Sequence, residues 1–382
     1  MTDAFRGEVR AWLAGHVPAE PLPSLDTAEG FERHRAWERE LAAARLAVVS
    51  WPARYGGRDA SLAEWLAFEE EYYAAAAPAR VGQNGLFMLG PTLLAFGTAE
   101  QCDRILPRMS AADDIWAQAW SEPDAGSDLA AIRSRGVRAE GGWLLSGTKT
   151  WCSRAAFADR AFGLFRTDPG AERHRGLSYL LFGLRAPGVT VRPIRQLGGS
   201  TVRTGFAEIF LDEVFVPDAD VVGAPGDGWR IAMSTASHER GLTLRSPGRF
   251  LAAAERLVAL WRRDVDPALG ARVADAWIGA RAYQLHTQAT AARLAAGGTL
   301  GPEASMGKVF WSELDLALHE TALDLLGPRA EVRDGPDGRW LEDYLFALAG
   351  PVYAGTNEIQ RTLIAERLLG LPRGERGAGS PP

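Results

Sequence analysis

The feature that most constrains this chain is a change of hydrophobic periodicity that happens twice. Between about residues 114 and 223, Gly and Pro punctuate short β-branched or aromatic runs: RSRGVRAEGGWLLSG, GLSYLLFGL, VTVRPI and FAEIFLDEVFVP. Gly141-Gly142 between two such runs signals a hairpin. On both sides of this block the texture is helical. Before it, Ser61 with Glu64 makes a capping box, and Leu62, Trp65, Leu66 and Tyr73 follow at helical spacing. After it come AMSTASHERGLTLR, RFLAAAERLVALWRR, ARVADAWIGARAYQLHTQATAARLAA and ASMGKVFWSELDLALHETALDLLG. The pattern predicts a mainly α protein with a central β domain: a helical domain over 1–113, a β domain over 114–223 and a helical bundle over 224–373. Residues 374–382 read as a disordered tail. With 382 residues the chain exceeds one ordinary core, in keeping with two or three domains.

Composition narrows the function. At 47% hydrophobic and 24% charged, the chain reads as an ordinary globular protein. A net charge of −6 argues against a nucleic-acid partner, which requires a basic face. Cys102 and Cys152 stand far apart with no CxxC, and the six His show no metal-ligand spacing. No disulfide framework and no metal site are expected. An early-charged N-terminus and the lack of about 18 consecutive apolar residues predict neither a signal peptide nor a membrane span, hence a cytoplasmic protein.

Taken alone, WSEPDAGSD (120–128) reads as a turn, because these residue types supply the φ values and local side-chain bonds a turn needs. Two further strings change its weight: GTKTWCS (147–153), just after the hairpin, and PVYAGTNEIQR (351–361). Together, in this order and at these separations, the three resemble the acyl-CoA dehydrogenase family. WPARYGG (51–57), HRGLSYLLF (174–182), FLDEVFVP (210–217), SHERG (237–241) and QRTLIAERLLGLPR (360–373) also match in order. The resemblance runs from about residue 5 to 373, and its texture is similar to actinobacterial-type members. It implies an N-terminal helical domain, a small β-barrel or sheet domain and a C-terminal four-helix bundle.

The resemblance also implies a non-covalent FAD. Gln118 through Ser127, including Trp120, Ser121 and Gly126, would line the flavin. Trp151 would cover the ring, and Ser153 would hydrogen-bond toward N5. Thr356 and Asn357 would meet the adenine side of FAD. Each has a plainer reading too: Trp151 as a half-buried aromatic, Ser153 as an edge hydroxyl, and Thr356 or Asn357 as a helix cap, with Gln360 closing a capping box from Asn357.

The family's reaction removes the α-proton of an acyl thioester while the β-hydrogen leaves as hydride to the flavin. That step needs a carboxylate raised toward neutrality. The family usually carries a Glu where this chain has Ala354. Some relatives, isovaleryl-CoA dehydrogenase among them, carry the base on the first long helix after the β domain, which here presents Glu239 beside Arg240. Glu239 is therefore the candidate base, and the same pair also reads as a solvated charged face. Ser127 and Arg240 are the candidate substrate contacts. The family's R-x-x-F-G element for the FAD pyrophosphate is missing from ALWRRDVDPALGARV, leaving Arg262, Arg263 and Arg272 as substitutes. The partners implied are an acyl thioester, on CoA or a carrier protein, and an electron-transfer flavoprotein as acceptor. The assembly implied is a homodimer or homotetramer, with a heteromer as the alternative. Two other functions stay open: a flavin monooxygenase or oxidase on the same fold, and a non-catalytic subunit of a heteromeric dehydrogenase.

Overall fold

The computed structural model describes residues 2–25, 27–197, 205–240, 247–333 and 335–372; the side chains of 237–240 also lie outside the description. The expected tail, 374–382, lies outside the described residues. The chain divides into two compact units, 1–249 and 250–382, which places the expected 1–113 and 114–223 blocks in one unit.

The first unit opens with helices α1 (Thr2–His16), α2 (Ala28–Ala43), α3 (Leu62–Ala74), α4 (Gly90–Phe96) and α5 (Ala99–Ser110). Local chemistry starts two of them. Ser61 accepts from the Glu64 N–H while the Glu64 carboxylate accepts from the Ser61 N–H, and Thr98 and Gln101 make the same box before α5. The predicted stripe of α3 holds at its centre, where Trp65 and Leu66 are buried.

Strands β1 (Trp116–Ala119), β2 (Arg135–Ala139), β3 (Gly142–Cys152), β4 (Arg160–Arg166), β5 (Leu177–Gly183), β6 (Val189–Pro193), β7 (Ala207–Pro217) and β8 (Val221–Val222) form one sheet. Its order is β6-β7-β3-β2-β4-β5-β8, with β1 beside β4. Most pairs are antiparallel, whereas β1 and β2 run parallel to β4. The aliphatic and aromatic residues of these strands, among them Leu145, Phe165, Leu180, Ile209 and Val214, share one core. Gln101 on α5 fastens the end of this sheet to the helices, donating to the carbonyls of Ala219 and Val221. Helix α6 (Gly228–Arg240) follows.

Helix α7 (Pro247–Arg263) leads into the second unit, which continues with α8 (Gly270–Ala295), α9 (Ala304–Leu326), α10 (Gly338–Ala347) and α11 (Asn357–Leu363). Phe250 and Leu257 of α7, Ala280 and Tyr283 of α8, Trp311 and Leu318 of α9 and Trp340 of α10 belong to a single core. That is the expected four-helix bundle, with α11 packed on α9. The architecture as a whole is the mainly α fold with a central β domain that the sequence predicts. Among the described residues no helix is long and apolar enough to cross a membrane.

The β2–β3 hairpin divides its two glycines between two physical jobs. Ala139 pairs with Gly142, so Glu140-Gly141 form the turn, and Gly141 sits at φ 71 with open space around it. Gly142 begins β3, where a Cβ would lie 2.2 Å from the Val216 carbonyl oxygen of β7. Gly141→Ala is therefore expected to cost roughly 1–2 kcal/mol, the left-handed penalty alone. Gly142→Ala is expected to reach or exceed the top of the range of about 1–3 kcal/mol for overpacking, because the obstacle is backbone. Denaturant unfolding of the two variants checks the order, and a smaller loss at Gly142 would show that β7 yields freely.

Candidate functional site

The segment after β1 carries WSEPDAGSD, and its geometry is set by one buried carboxylate. Glu122 accepts from the backbone N–H groups of Arg133 (2.6 Å) and Ser134 (2.9 Å) and from Lys149 Nζ (2.8 Å). Lys149 is fully buried on β3. Its ammonium also donates to the Leu164 carbonyl at 2.7 Å and the Trp120 carbonyl at 3.4 Å, and it lies 4.8 Å from the Phe165 ring centroid. All three ammonium protons thus have acceptors. Burial pushes the Glu122 carboxyl up, but Lys149 and the two N–H groups outweigh it and hold it below the ordinary carboxylate value. For Lys149 burial wins, and its pKa falls despite Glu122. The loop closes on itself through a paired Glu122 and Ala125, and Thr150 N–H of β3 donates to the Ser121 carbonyl at 2.9 Å.

Around this frame lie the expected residues of the first unit. Gln118 is half-buried on β1 opposite Phe162 of β4. Trp120 is buried edge-on against Phe162 and Tyr179, and its Nε1 has no hydrogen-bond partner among the described residues. Ser121 is half-buried, while Gly126 and Ser127 are exposed. Gly126 does not have a positive φ, and a Cβ built there meets nothing within 4 Å. Turn geometry therefore does not account for Gly126, and the space beside it is open to a ligand.

The β3–β7 register breaks between Lys149 and Cys152. At this break Trp151 takes φ 56, and Arg154 just beyond takes φ 70. A non-Gly residue in the left-handed region costs energy and is held only by its surroundings. The holding comes from the helical part of the unit. Asn84 Nδ2 donates to the Ser153 carbonyl at 2.9 Å, and Arg154 donates to the Arg80 carbonyl at 3.2 Å. Arg80 is itself locked by the buried Glu38 at 2.7 Å. The result is an indole 59% exposed, with Phe206 edge-on at 6.2 Å, beside a half-buried Ser153. The half-buried aromatic reading of Trp151 does not hold. A large indole presented to solvent, a glycine beside open space and two half-buried hydroxyls fit a planar heteroaromatic group with acceptor nitrogens.

Helix α6 buries Ile231, Ala232 and Thr235, and Thr235 shares a 2.8 Å hydroxyl contact with Thr92 of α4. Met233 and Ala236 are half-buried. Glu239 and Arg240 lie in the last turn of α6, with their side chains outside the described residues.

The second unit holds the remaining expected residues in a tight elbow. Ala354 and Gly355 take φ 57 and 80 in succession. Gln360 Nε2 reaches back to both of their carbonyls, at 3.2 and 3.3 Å. The expected capping box from Asn357 to Gln360 is not formed. Thr356 is the cap, accepting from the Ile359 N–H, because the two left-handed residues advance the helix start by one position and draw Gln360 into the elbow. Asn357 is buried, and its Oδ1 accepts from Lys308 Nζ (2.7 Å) and Ser312 Oγ (3.1 Å) of α9. Arg263 is paired with Asp264 and Asp337, and Arg272 with Asp324, so both are committed within the unit, while Arg262 is exposed.

Sequence reasoning missed the residues that hold the site: Glu122, Lys149, Asn84, Arg80 and Lys308. Glu122 and Lys149 do stand inside the motifs WSEPDAGSD and GTKTWCS, but one-dimensional spacing cannot show that they meet. Lys149→Met is expected to cost about 3–5 kcal/mol at pH 7, since it strands a buried carboxylate. In the parent, Glu122 lies below its unfolded value, so its contribution is complete above about pH 4.3 and is lost as pH falls through the lower folded value. In Lys149→Met the charge partner is gone while burial and the two N–H groups remain, so Glu122 titrates higher than in the parent and the loss of stability shrinks on acidification. Urea unfolding at pH 7 and pH 4.5 checks this, and an equal loss at both would count against the pair.

Comparison with known proteins follows the same division of the chain. The N-terminal, middle and C-terminal domain models of acyl-CoA dehydrogenase match residues 2–113, 117–214 and 226–369. The chain is 42% identical to acyl-CoA dehydrogenase IpdE1 of Mycobacterium tuberculosis, over 98% of this chain and 99% of that one. Among solved structures, the Tcur3481-Tcur3483 steroid ACAD superposes with TM-score 0.88 at 28% identity, covering 98% of each chain. The ChsE4-ChsE5 complex from Mycobacterium tuberculosis superposes with TM-score 0.82 at 27% identity, again covering 98% of each.

Proposed function

Because the chain belongs to the acyl-CoA dehydrogenase family, we propose that it carries out α,β-dehydrogenation of an acyl thioester with Glu239 as the base. Membership itself makes the protein an oxidoreductase of acyl-CoA substrates with FAD as its cofactor. The finer reading rests on one observation above all: the exposed Trp151, held left-handed at a break in β3 beside the WSEPDAGSD loop. Such strain persists where a ligand uses the side chain it presents.

When bound, FAD supplies the acceptor for the hydride that leaves the β-carbon. The chain's own residues do the rest. Trp151 covers the flavin ring, Ser121 and Ser153 offer hydroxyls to its edge, and Gln118, Trp120, Gly126 and Ser127 line it. Thr356 and Asn357 serve its adenine side. Asn357 Oδ1 is already occupied by Lys308 and Ser312, which leaves its Nδ2 as the donor. Glu239 takes the α-proton, while Ser127 and Arg240 contact the thioester. Two facts support Glu239. Ala354 offers no acid at the elbow, and position 239 lies one helical turn beyond Thr235 on a helix whose 231, 232 and 235 positions are buried. The blocks 1–113, 114–223 and 224–373 are read as three domains, in line with the matched family models.

The thioester carrier is CoA or a carrier protein, and the electrons pass to an electron-transfer flavoprotein. Likeness to a protein described as a steroid ACAD makes a bulky polycyclic acyl group a candidate. The ChsE4-ChsE5 complex supports a heteromer as the second reading, in which this chain completes a partner's site.

Trp151→Ala is expected to weaken FAD retention more than Ser153→Ala. The first removes a large stacked surface, and the second a hydrogen bond worth about 0.5–1.5 kcal/mol. Flavin absorbance after gel filtration measures this, and unchanged retention in Trp151→Ala would make the indole a structural feature only.

The function itself is tested by anaerobic addition of acyl-CoA thioesters, steroid-derived ones included, to the flavin-loaded protein. Bleaching without O2 or NADPH is expected. Glu239→Gln should keep the flavin yet slow bleaching about 10²–10⁴-fold, and adding Ala354→Glu should restore part of it. Bleaching by Glu239→Gln at the parent rate would remove Glu239 from the chemistry. A parent that binds flavin but never bleaches would favour the monooxygenase or oxidase reading, and one that binds no flavin at all the non-catalytic subunit.

A further inference from the structure

The stretch GLFMLGP (85–91) interrupts the regular helix in which it lies. Helical backbone runs from residue 83 to 96, and just before α4 it widens into a π turn over Gly85–Leu89, closed by the Gly90 N–H on the Gly85 carbonyl. The cause is local. Pro91 has no N–H to give the turn before it, and in a regular α-helix its ring would press on the Phe87 carbonyl. Packing holds the wide turn at both ends. A Cβ on Gly85 would lie 3.1 Å from Met109 Sδ, and one on Gly90 would lie 2.0 Å from the Trp51 ring. Such π turns inside α-helices recur at functional positions.

The turn decides which residues share a face. In a regular α-helix, at about 100° per residue, Asn84 and Thr92 would point about 80° apart. An i→i+5 turn takes up one residue more, which brings the two within about 20° of each other, roughly 10 Å apart along the axis. Their contacts make use of this. Asn84 Nδ2 holds the Ser153 carbonyl at 2.9 Å, at the corner that presents Trp151. Thr92 Oγ1 meets Thr235 Oγ1 of α6 at 2.8 Å. Each threonine oxygen also lies within reach of the carbonyl four residues earlier, Met88 at 2.8 Å and Ile231 at 3.0 Å. Both threonines are fully buried. Among the described side chains of α6, Thr235 is the last one buried before position 239, one turn further on the same face.

We propose that residues 84–92 are a spacer that fixes α6, and position 239 on it, against the corner carrying Trp151 and Ser153, with Thr92 and Thr235 as positioning residues. The proposal rests on the reading of Glu239 as the base. In that reading the thioester loses a proton to one group and a hydride to another, so base and flavin must stand at a set separation. An error of about 1 Å there costs up to about 10²-fold in rate. A hydroxyl pair suits this task because a hydrogen bond is directional, whereas an apolar contact is not.

The test separates the tether from the fold and from the base. Thr235→Val keeps the shape and loses the hydroxyl, whereas Thr235→Ser keeps the hydroxyl and loses a methyl. With FAD bound, Thr235→Val should slow anaerobic bleaching by saturating acyl-CoA about tenfold or more. Circular dichroism, flavin retention and the thioester concentration for half-saturation should stay at parental values, and Thr235→Ser should bleach close to the parent rate. Thr92→Val breaks the same contact from the other helix and should slow bleaching equally, with the Thr92→Val, Thr235→Val pair no slower than either alone. Adding Thr235→Val to Glu239→Gln should cause no further loss, since the group being positioned is gone. In flavin-free protein, amide hydrogen exchange over 232–240 should quicken in Thr235→Val and not in Thr235→Ser. The proposal alone is overturned if Glu239→Gln is slow while Thr235→Val bleaches at the parent rate or leaves exchange over α6 unchanged. It is equally overturned if Thr235→Ser is as slow as Thr235→Val, or if Thr235→Val slows Glu239→Gln by the factor seen in the parent. Bleaching of Glu239→Gln at the parent rate overturns the reading of the base, and the proposal with it.

Discussion

A buried ion pair, Lys149 with Glu122, is the interaction on which the rest of the candidate site depends. Neither charge is tolerable alone in a dry interior, so each requires the other and every remaining acceptor or donor nearby. Glu122 gathers two backbone N–H groups of the 133–134 segment, and Lys149 gathers the carbonyls of Trp120 and Leu164. Four stretches of chain that are remote in sequence are thereby fixed to one point of the sheet. Ser121 is tied to β3 next to Trp151 through the Thr150 N–H, which its carbonyl accepts.

The second unit repeats the device with different residues. Lys308 is also fully buried, and with Ser312 it fixes Asn357, which starts the helix after the elbow. The elbow itself carries two consecutive left-handed residues, one of which is not glycine. Gln360 holds both of their carbonyls from inside the helix. In the first unit the left-handed Trp151 follows the buried Lys149 by two residues on β3, and in the second the left-handed Ala354 and Gly355 precede Asn357, which the buried Lys308 holds. Packing alone would not place an indole with 59% of its surface in solvent, as Trp151 has.

Much of the fold was legible because its signals are local. The Ser61–Glu64 box depends on four consecutive residues, and the hairpin on two glycines and the alternation around them. The helices of the bundle announce themselves by period. The β domain is readable as a block from its punctuation, but its strand order is not, because β1 and β2 pair with β4 across intervening chain. The site was legible only as motifs. Thr356 rather than Asn357 caps the last helix because Ala354 takes a left-handed conformation, which alanine seldom adopts and which no side-chain pattern announces.

The sequence by itself determined the order of helical, β and helical blocks and the family that this order and its three motifs mark. Those properties are written in residue types at short spacings. Only the tertiary structure decided that Glu122 meets Lys149, that Asn84 and Arg80 brace the corner holding Trp151, and that Lys308 reaches Asn357. Each of these joins residues 25 to about 75 positions apart, and whether such groups meet depends on strand register and helix packing. A buried lysine and a surface lysine are the same letter, and burial is a property of the fold.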